Sequence, residues 1–151
     1  MGTILPYESR YQSDFRRLNL EWLDAFGLTE SHDLMILDNP VETIINRGGF
    51  IWLAIESGTV IGTAALMKEK EGVYELAKMS VVPAEQGRGI SKRLIETCIA
   101  KAREQGAEKI ILFSNHQLLA ALRLYENYGF RHVGVTNSPF TTADVKMEFI
   151  L

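Results

Sequence analysis

The sequence predicts a mixed α/β domain, a sheet of about seven strands, mostly antiparallel, flanked by about four helices. Three observations predict it. Apolar residues recur at helical spacing near the N-terminus. The period then shortens to two over three consecutive segments. From Gly89 to the end, helical and strand patterns alternate.

Thr3 to Tyr7 reads as a first strand. Ser9 with Gln12 has the form of a capping box, and Phe15, Leu18, Trp22 and Phe26 follow at helical spacing until Gly27 ends the helix. A second helix starts at Asn39, whose side chain can cap. Pro40 suits the first helical position, Glu42 completes the box, and Gly48 and Gly49 stop the helix after Ile44 and Ile45. Phe50 to Ile55 is a strand, Glu56-Ser57-Gly58 a turn, Val60 to Met67 a second strand and Lys68 to Gly72 a second turn. Val73 to Val82 is a third strand, stopped by Pro83, so the three form an antiparallel meander. After Gly89, the residues Ile90, Leu94, Ile95, Cys98, Ile99 and Ala102 make one apolar helix face, ended by Gly106. Lys109 to Phe113 is a buried strand, and Leu118 to Tyr128 is a helix closed by Gly129. Phe130 to Val135 and Val145 to Leu151 are closing strands.

A chain of 151 residues fits one domain, 1–151. Its 46% hydrophobic and 23% charged residues are ordinary for a globular protein. Sixteen basic against nineteen acidic residues give a net charge of −3, so no global basic field is available for direct nucleic-acid or membrane binding. The single cysteine, Cys98, permits no intrachain disulfide and falls on an apolar helix face. The opening Met1-Gly2-Thr3-Ile4-Leu5-Pro6 meets Glu8 too soon for a signal peptide. Pro6 occupies the place where myristoylation needs Ser or Thr. No stretch approaches the roughly 18 apolar residues of a membrane span. A soluble, cytoplasmic protein is expected. His32, His116 and His132 lack metal-ligand spacing, so no metal is expected.

The stretch Val81-Val82-Pro83-Ala84-Glu85-Gln86-Gly87-Arg88-Gly89-Ile90-Ser91-Lys92 carries the chemistry. It is a strand end, a glycine-bearing loop and a helix start. Glycines admit unusual backbone angles and close approach. The first N–H groups of a helix lack internal partners and sit at the positive end of its dipole, which suits phosphate or pyrophosphate. Arg88 and Lys92 add positive charge. The third glycine of G-x-G-x-x-G is missing, and so is the P-loop pattern. A plain strand-to-helix turn with solvated charges is the alternative.

Gln86-Gly87-Arg88-Gly89-Ile90-Ser91 resembles motif A of the GNAT acetyltransferases, [RQ]-x-x-G-x-[GA], with Ser91 at the last small position. Leu124-Tyr125-Glu126-Asn127-Tyr128-Gly129-Phe130 is similar to their motif B, L-Y-x-x-x-G-F. The resemblance covers roughly Phe50 to Leu151. It is nearest to bacterial domains, some fused behind a winged-helix DNA-binding domain, that share E-L-A-K-M and S-N-x-x-L.

The resemblance implies an acyl-CoA N-acyltransferase fold and acetyl transfer from acetyl-CoA to a primary amine, directly in a ternary complex. It implies that Met79, Ser80 and Val81 splay at a bulge and offer backbone groups to the acetyl and pantetheine arms, while Gln86, Gly87, Arg88, Gly89, Ile90, Ser91 and Lys92 hold the pyrophosphate. It implies that Tyr125 protonates the departing thiolate; a core tyrosine is the alternative. Glu75 stands at the spacing before Gln86 that a catalytic glutamate has in the histone acetyltransferase branch, so the resemblance makes it the base. The alternative is an exposed strand carboxylate.

Asn115 is assigned no role beyond capping the helix after Phe113. Asp33 and Asp38, near His32, read as a solvated loop rather than contacts for an amine. Substrate preference is placed in the N-terminal helices and the Asn137 to Asp144 loop, where Phe140 and Thr142 replace a Tyr and an Arg of the relatives. The expected partner is an amine substrate, either a small molecule or a protein amine. Oligomeric state is open, a homodimer included. The competing functions are a non-catalytic acyl-CoA sensor and an interaction domain.

A lysine-like amine has a pKa near ~10.4, so its neutral form costs about 4.6 kcal/mol at pH 7. A free glutamate at ~4.3 is a poor base for it, and Glu75 must be desolvated to serve.

Overall fold

The computed structural model describes residues 2–136 and 138–151. Seven strands form one sheet in the order β1-β2-β3-β4-β5-β7-β6. They are β1 (Thr3–Pro6), β2 (Phe50–Glu56), β3 (Thr59–Lys70), β4 (Val73–Val81), β5 (Lys109–Ser114), β6 (Arg131–Val133) and β7 (Val145–Ile150). Among the described residues only β4 and β5 pair in parallel; the other neighbours are antiparallel. The β2–β3 hairpin closes through Ser57 and Gly58, at φ 51° and 79°. Two successive positive φ values match the right-handed twist of the strands they join.

The described helices are α1 (Gln12–Ala25), α2 (Ser31–Asp38), α3 (Pro40–Thr43), α4 (Ile90–Glu104) and α5 (Leu119–Asn127). The sheet buries both faces. On one, Ile90, Leu94, Ile95 and Cys98 of α4 and Leu122 and Tyr125 of α5 join a cluster with Ala64, Leu66, Leu76 and Ile110 of the strands. On the other, Phe15 and Leu18 of α1 and Ile36 and Leu37 of α2 pack with Ile51, Leu53 and Ala65. Cys98 is fully buried in the first cluster, and burial pushes its thiol pKa well up.

Among the described residues five helices stand where about four are expected. The extra one is α2, in the stretch read as a solvated loop. Asp33 accepts the Glu30 N–H (2.9 Å), closing its first turn as a capping box, and Ile36 and Leu37 give it a buried face. Two expected caps do not form. α1 begins after a 3-10 turn at Ser9–Tyr11, and Gln12 instead donates to the Leu37 carbonyl (3.0 Å), tying α1 to α2. The Asn39 side chain donates back to the Met35 carbonyl (2.9 Å), and the helix expected from Asn39 is one turn followed by a 3-10 turn at Ile45–Arg47. Gln12 is drawn off by a tertiary contact, and Asn39 by the last turn of the helix that precedes it.

Candidate active site

The middle of β4 is irregular on both sides. Against β3, Ala65 pairs with Ala77 and Thr63 with Ser80, so one residue of β3 opposes two of β4, a β-bulge. Lys78, at the bulge, has φ 50°, a left-handed conformation that costs a non-glycine residue free energy. Side chains stabilise it. Thr63 Oγ1 donates to the Lys78 carbonyl (2.8 Å) and accepts from Asn19 Nδ2 (3.0 Å). Its one hydrogen is thereby used, so Ser80 is the donor in the 3.3 Å contact between the two hydroxyls. Against β5, pairing stops at Glu75 opposite Ile111, although β4 runs on to Val81 and β5 to Ser114. From Leu76 to Val81 the strand has no strand partner on that side among the described residues. The splay expected at Met79-Ser80-Val81 is therefore present, and it begins three residues earlier.

Two concavities meet at this opening. A cavity of about 110 Å³ lies between the splayed strands, α1, α2 and the β6–β7 loop; Glu75, Lys78, Asp33, Asn115, Phe140 and Thr142 line it. A groove of about 750 Å³ runs along β4 from Met79 past the glycine loop to Lys92, walled by α1 and by α5. Trp22, Met79, Leu118 and Tyr125 line both, so they mark the junction.

Glu75 is 6% exposed, and no ion pair with another of the described residues offsets its burial. Desolvation pushes its carboxyl up to about 7. Lys78 opposes this, and Glu69 and Asp33 add to it. The exposed-carboxylate reading does not describe this residue. Tyr125 is 8% exposed and packs on Phe130. It is a core tyrosine that also faces the junction. Burial, with a smaller contribution from Cys98, raises its hydroxyl pKa well above the usual value, so it keeps its proton at neutral pH.

In the loop, Gly87 and Gly89 have φ 82° and 80°, and open space lies where a Cβ would stand. Gly89 is the residue before α4, and Gln86 Nε2 donates to the Val81 carbonyl (3.1 Å), fixing the loop to the strand. Gln86, Gly87, Gly89, Ile90, Ser91 and Lys92 all line the groove. Ile90 is nearly fully buried, its side chain near Gly62. Arg88 is absent from the lining. Its guanidinium is held by Glu85 and by both carboxylate oxygens of Glu56 (3.1 and 3.2 Å).

Several residues of the cavity escaped the sequence reading. Asp33 is not solvated. It is buried in α2 and forms an ion pair with Lys78. Asp38 is exposed and pairs with Arg16 (2.6 Å). Asn115 donates to the Thr142 carbonyl (2.7 Å) and accepts the Gln117 N–H (3.0 Å), so it fastens the β6–β7 loop as well as the turn before α5. Glu30 clamps the same loop. Its carboxylate accepts N–H and hydroxyl donors of Thr141 and Thr142, with both N–H bonds at 2.9 Å. Burial would raise its pKa, but these bonds prevail and lower it to about 2. Phe140, from the stretch expected to hold substrate preference, stacks edge-on with His32 and lies under the Lys78 ammonium. Asn137, the first residue of that stretch, and Met1 lie outside the described residues. Among the described residues no cluster of His, Cys, Asp and Glu has metal-site geometry, and no helix is long and apolar enough to cross a membrane.

The fold has counterparts. An acetyltransferase of the GNAT family from Staphylococcus aureus Mu50 superposes with a TM-score of 0.91 at 23% identity, over 98% of each chain. YncA from Salmonella typhimurium, a putative acetyltransferase solved with its cofactor acetyl-CoA, superposes with a TM-score of 0.75 at 18% identity, covering 99% of this chain and 94% of that one. In sequence, the N-acetylaspartate synthetase of Xenopus tropicalis is 38% identical over 89 residues, 58% of this chain. The chain spans about a third of that relative's length (33%). The family described as Acetyltransferase (GNAT) family matches residues 11–130. With most of its length inside that match, the chain belongs to the GNAT acetyltransferase family.

Proposed function

We propose that the chain moves an acetyl group from acetyl-CoA to a primary amine by direct transfer in a ternary complex, with Glu75 as base and Tyr125 as proton donor. The observation that carries this reading is the junction. A buried carboxyl with a pKa near 7 and a protonated tyrosine face one opening, where a small cavity meets a long groove.

The residues of the groove fit the donor. Two left-handed glycines shape the loop, and the first N–H groups of the fifteen-residue α4 lack helical partners. We assign the pyrophosphate to these N–H groups and to Lys92, with Gln86 holding the loop. Ile90 and Arg88 contribute main chain, since their side chains are engaged elsewhere. Met79, Ser80 and Val81 offer backbone groups along the unpaired edge of β4 to the extended arm.

Acetyl-CoA supplies a thioester, whose carbonyl carbon accepts the amine nitrogen while the C–S bond breaks. Glu75 takes the proton that the amine must lose. At pKa about 7 rather than 4.5, it reduces the uphill proton transfer from an ammonium by about 3 kcal/mol. Tyr125 gives its proton to the leaving sulfur and regains one from solvent, so the products are an amide and a free thiol.

The test is turnover. Release of CoA from acetyl-CoA is followed with a panel of primary amines, alongside the melting temperature with saturating acetyl-CoA. Amine-dependent CoA release with an upward melting shift is expected. A melting shift without release for any amine would turn the reading toward an acyl-CoA sensor.

A further inference from the structure

The charges around the acceptor cavity narrow the substrate class, an inference that rests on the acetyl-transfer reading. Among the described residues lining it there are two carboxylates, Asp33 and Glu75, and one cation, Lys78. Lys78 is already engaged. Its ammonium is in an ion pair with Asp33, with side chains only 5% and 3% exposed, and it sits 5.1 Å from the centre of the Phe140 ring. The other Asp33 oxygen accepts the Glu30 N–H, so the carboxylate is engaged on both sides.

An entering carboxylate would have to take Lys78 from Asp33. That would leave a buried carboxylate without its cation, a strongly unfavourable exchange. Glu75, once it has lost its proton, makes the lining net negative (1 − 2 = −1). The remaining wall is largely apolar, with Trp22, Leu23, Leu28, Leu76 and Phe113. The volume, about 110 Å³, is below the roughly 150 Å³ of a protein cavity that takes up benzene.

We propose that the acceptor is a compact aliphatic monoamine carrying no carboxylate beside its amine, and that the closed Lys78–Asp33 pair is the device that excludes amino acids. The ammonium enters toward Glu75 and the aliphatic body fills the apolar wall. Asp33 acts on specificity through Lys78, as a positioning residue.

Three matched acceptors test this on the full chain at saturating acetyl-CoA: 3-methylbutylamine, leucinamide and leucine. The last two differ at one group, a neutral amide against a carboxylate. The first two should be acetylated, with kcat/KM per neutral amine for leucine at least about a hundredfold below that for leucinamide. Asp33→Asn keeps the Glu30 N–H acceptor and frees Lys78. It should raise the leucine-to-leucinamide ratio at least about tenfold. The change in ratio between the two proteins is independent of the amines' own pKa values. Lys78→Met, which removes the cation, should leave leucine excluded. If Asp33→Asn does not fold, the wild-type ratio decides, with each kcat/KM divided by the fraction of that amine that is neutral at the assay pH. Leucine used within tenfold of leucinamide by the wild type overturns the charge gate and leaves acetyl transfer standing. Turnover confined to polyamines or peptide lysines overturns the size limit. Acetyl-CoA binding with no amine turned over overturns both readings.

Discussion

The groove proposed for the donor and the cavity proposed for the acceptor share one strand and are built in opposite ways. The groove's loop is local. Gln86 to Lys92 are consecutive, two glycines set its backbone, and the helix that follows supplies its N–H groups. The cavity is assembled across the chain. Lys78 meets Asp33 at a separation of 45 residues, Asn19 meets Thr63 at 44, and Glu30 meets Thr142 at 112. A site that must recognise one invariant phosphate can be made of backbone and written in a short run. A site that must distinguish amines needs side chains, and each of them needs a partner elsewhere. The cavity should therefore fail through single side chains, and the loop through its backbone angles.

The largest effect is expected in the cavity. Glu75→Gln should lower turnover by about 10²–10⁴-fold at pH 7 with CoA affinity unchanged, measured by steady-state kinetics and calorimetry. The same substitution should stabilise the protein at high pH. The folded carboxyl titrates near 7 against an ordinary 4.5, so its contribution to stability is complete below about 4.5 and is lost as pH rises through about 7. Glutamine has no such loss. The difference in unfolding free energy should open over that window and level off at about 3 kcal/mol in favour of the variant. Equal stabilities at pH 8 would mean that Glu75 is not desolvated.

Tyr125→Phe should cost less. The thiolate of a thiol of pKa ~8.5 is a stable leaving group, so turnover should fall by only about thirtyfold, less than the usual 10²–10⁴-fold of a general acid. Alkali should not rescue it, since what is missing is a proton. A pH–rate profile that converges on the wild type at high pH would remove the donor role.

In the groove, Gly89→Val should weaken CoA about tenfold or more while leaving the fold in place. A β-branched residue at φ 80° costs roughly 1–2 kcal/mol and shifts the N–H groups it precedes. Unchanged affinity by calorimetry would detach the loop from the pyrophosphate. The smallest effect belongs to Arg88→Ala, which should alter CoA affinity by less than about threefold, because its guanidinium is held on Glu56 and Glu85. A tenfold loss would show that Arg88 leaves those partners when the donor binds.

The same contrast governed what could be read from sequence. The meander, the Ile90–Ala102 face and the glycine loop follow from spacing within a few residues. Glu75 and Tyr125 came from a resemblance, but desolvation as the requirement for Glu75 came from pKa arithmetic, and the residue is buried. α2 went unread because its polar start is not the usual Ser or Thr: Glu30 precedes it and Asp33 closes its first turn. One signal was present, an acidic residue three positions after another polar one, ahead of Leu34, Ile36 and Leu37. The role of Asp33 could not be read, because nothing near it in sequence shows that Lys78 stands opposite. Lys78 itself was invisible as a bulge residue, since a lysine carries no mark of φ 50°. Only the Thr63 and Asn19 side chains that support it reveal why the strand bends there.

The pH dependence of kcat/KM for wild type and Glu75→Gln, with one amine that the wild type accepts, tests the base most directly. The wild-type profile should rise tenfold per pH unit, bend near pH 7 and run flat toward the amine's own pKa, because ionised Glu75 and the ammonium together supply the reactive state. The Glu75→Gln profile should lack that bend and climb steadily toward the amine pKa, so that the deficit shrinks as pH rises. A wild-type profile that climbs past pH 9 without bending, parallel to that of Glu75→Gln, would contradict Glu75 as the base.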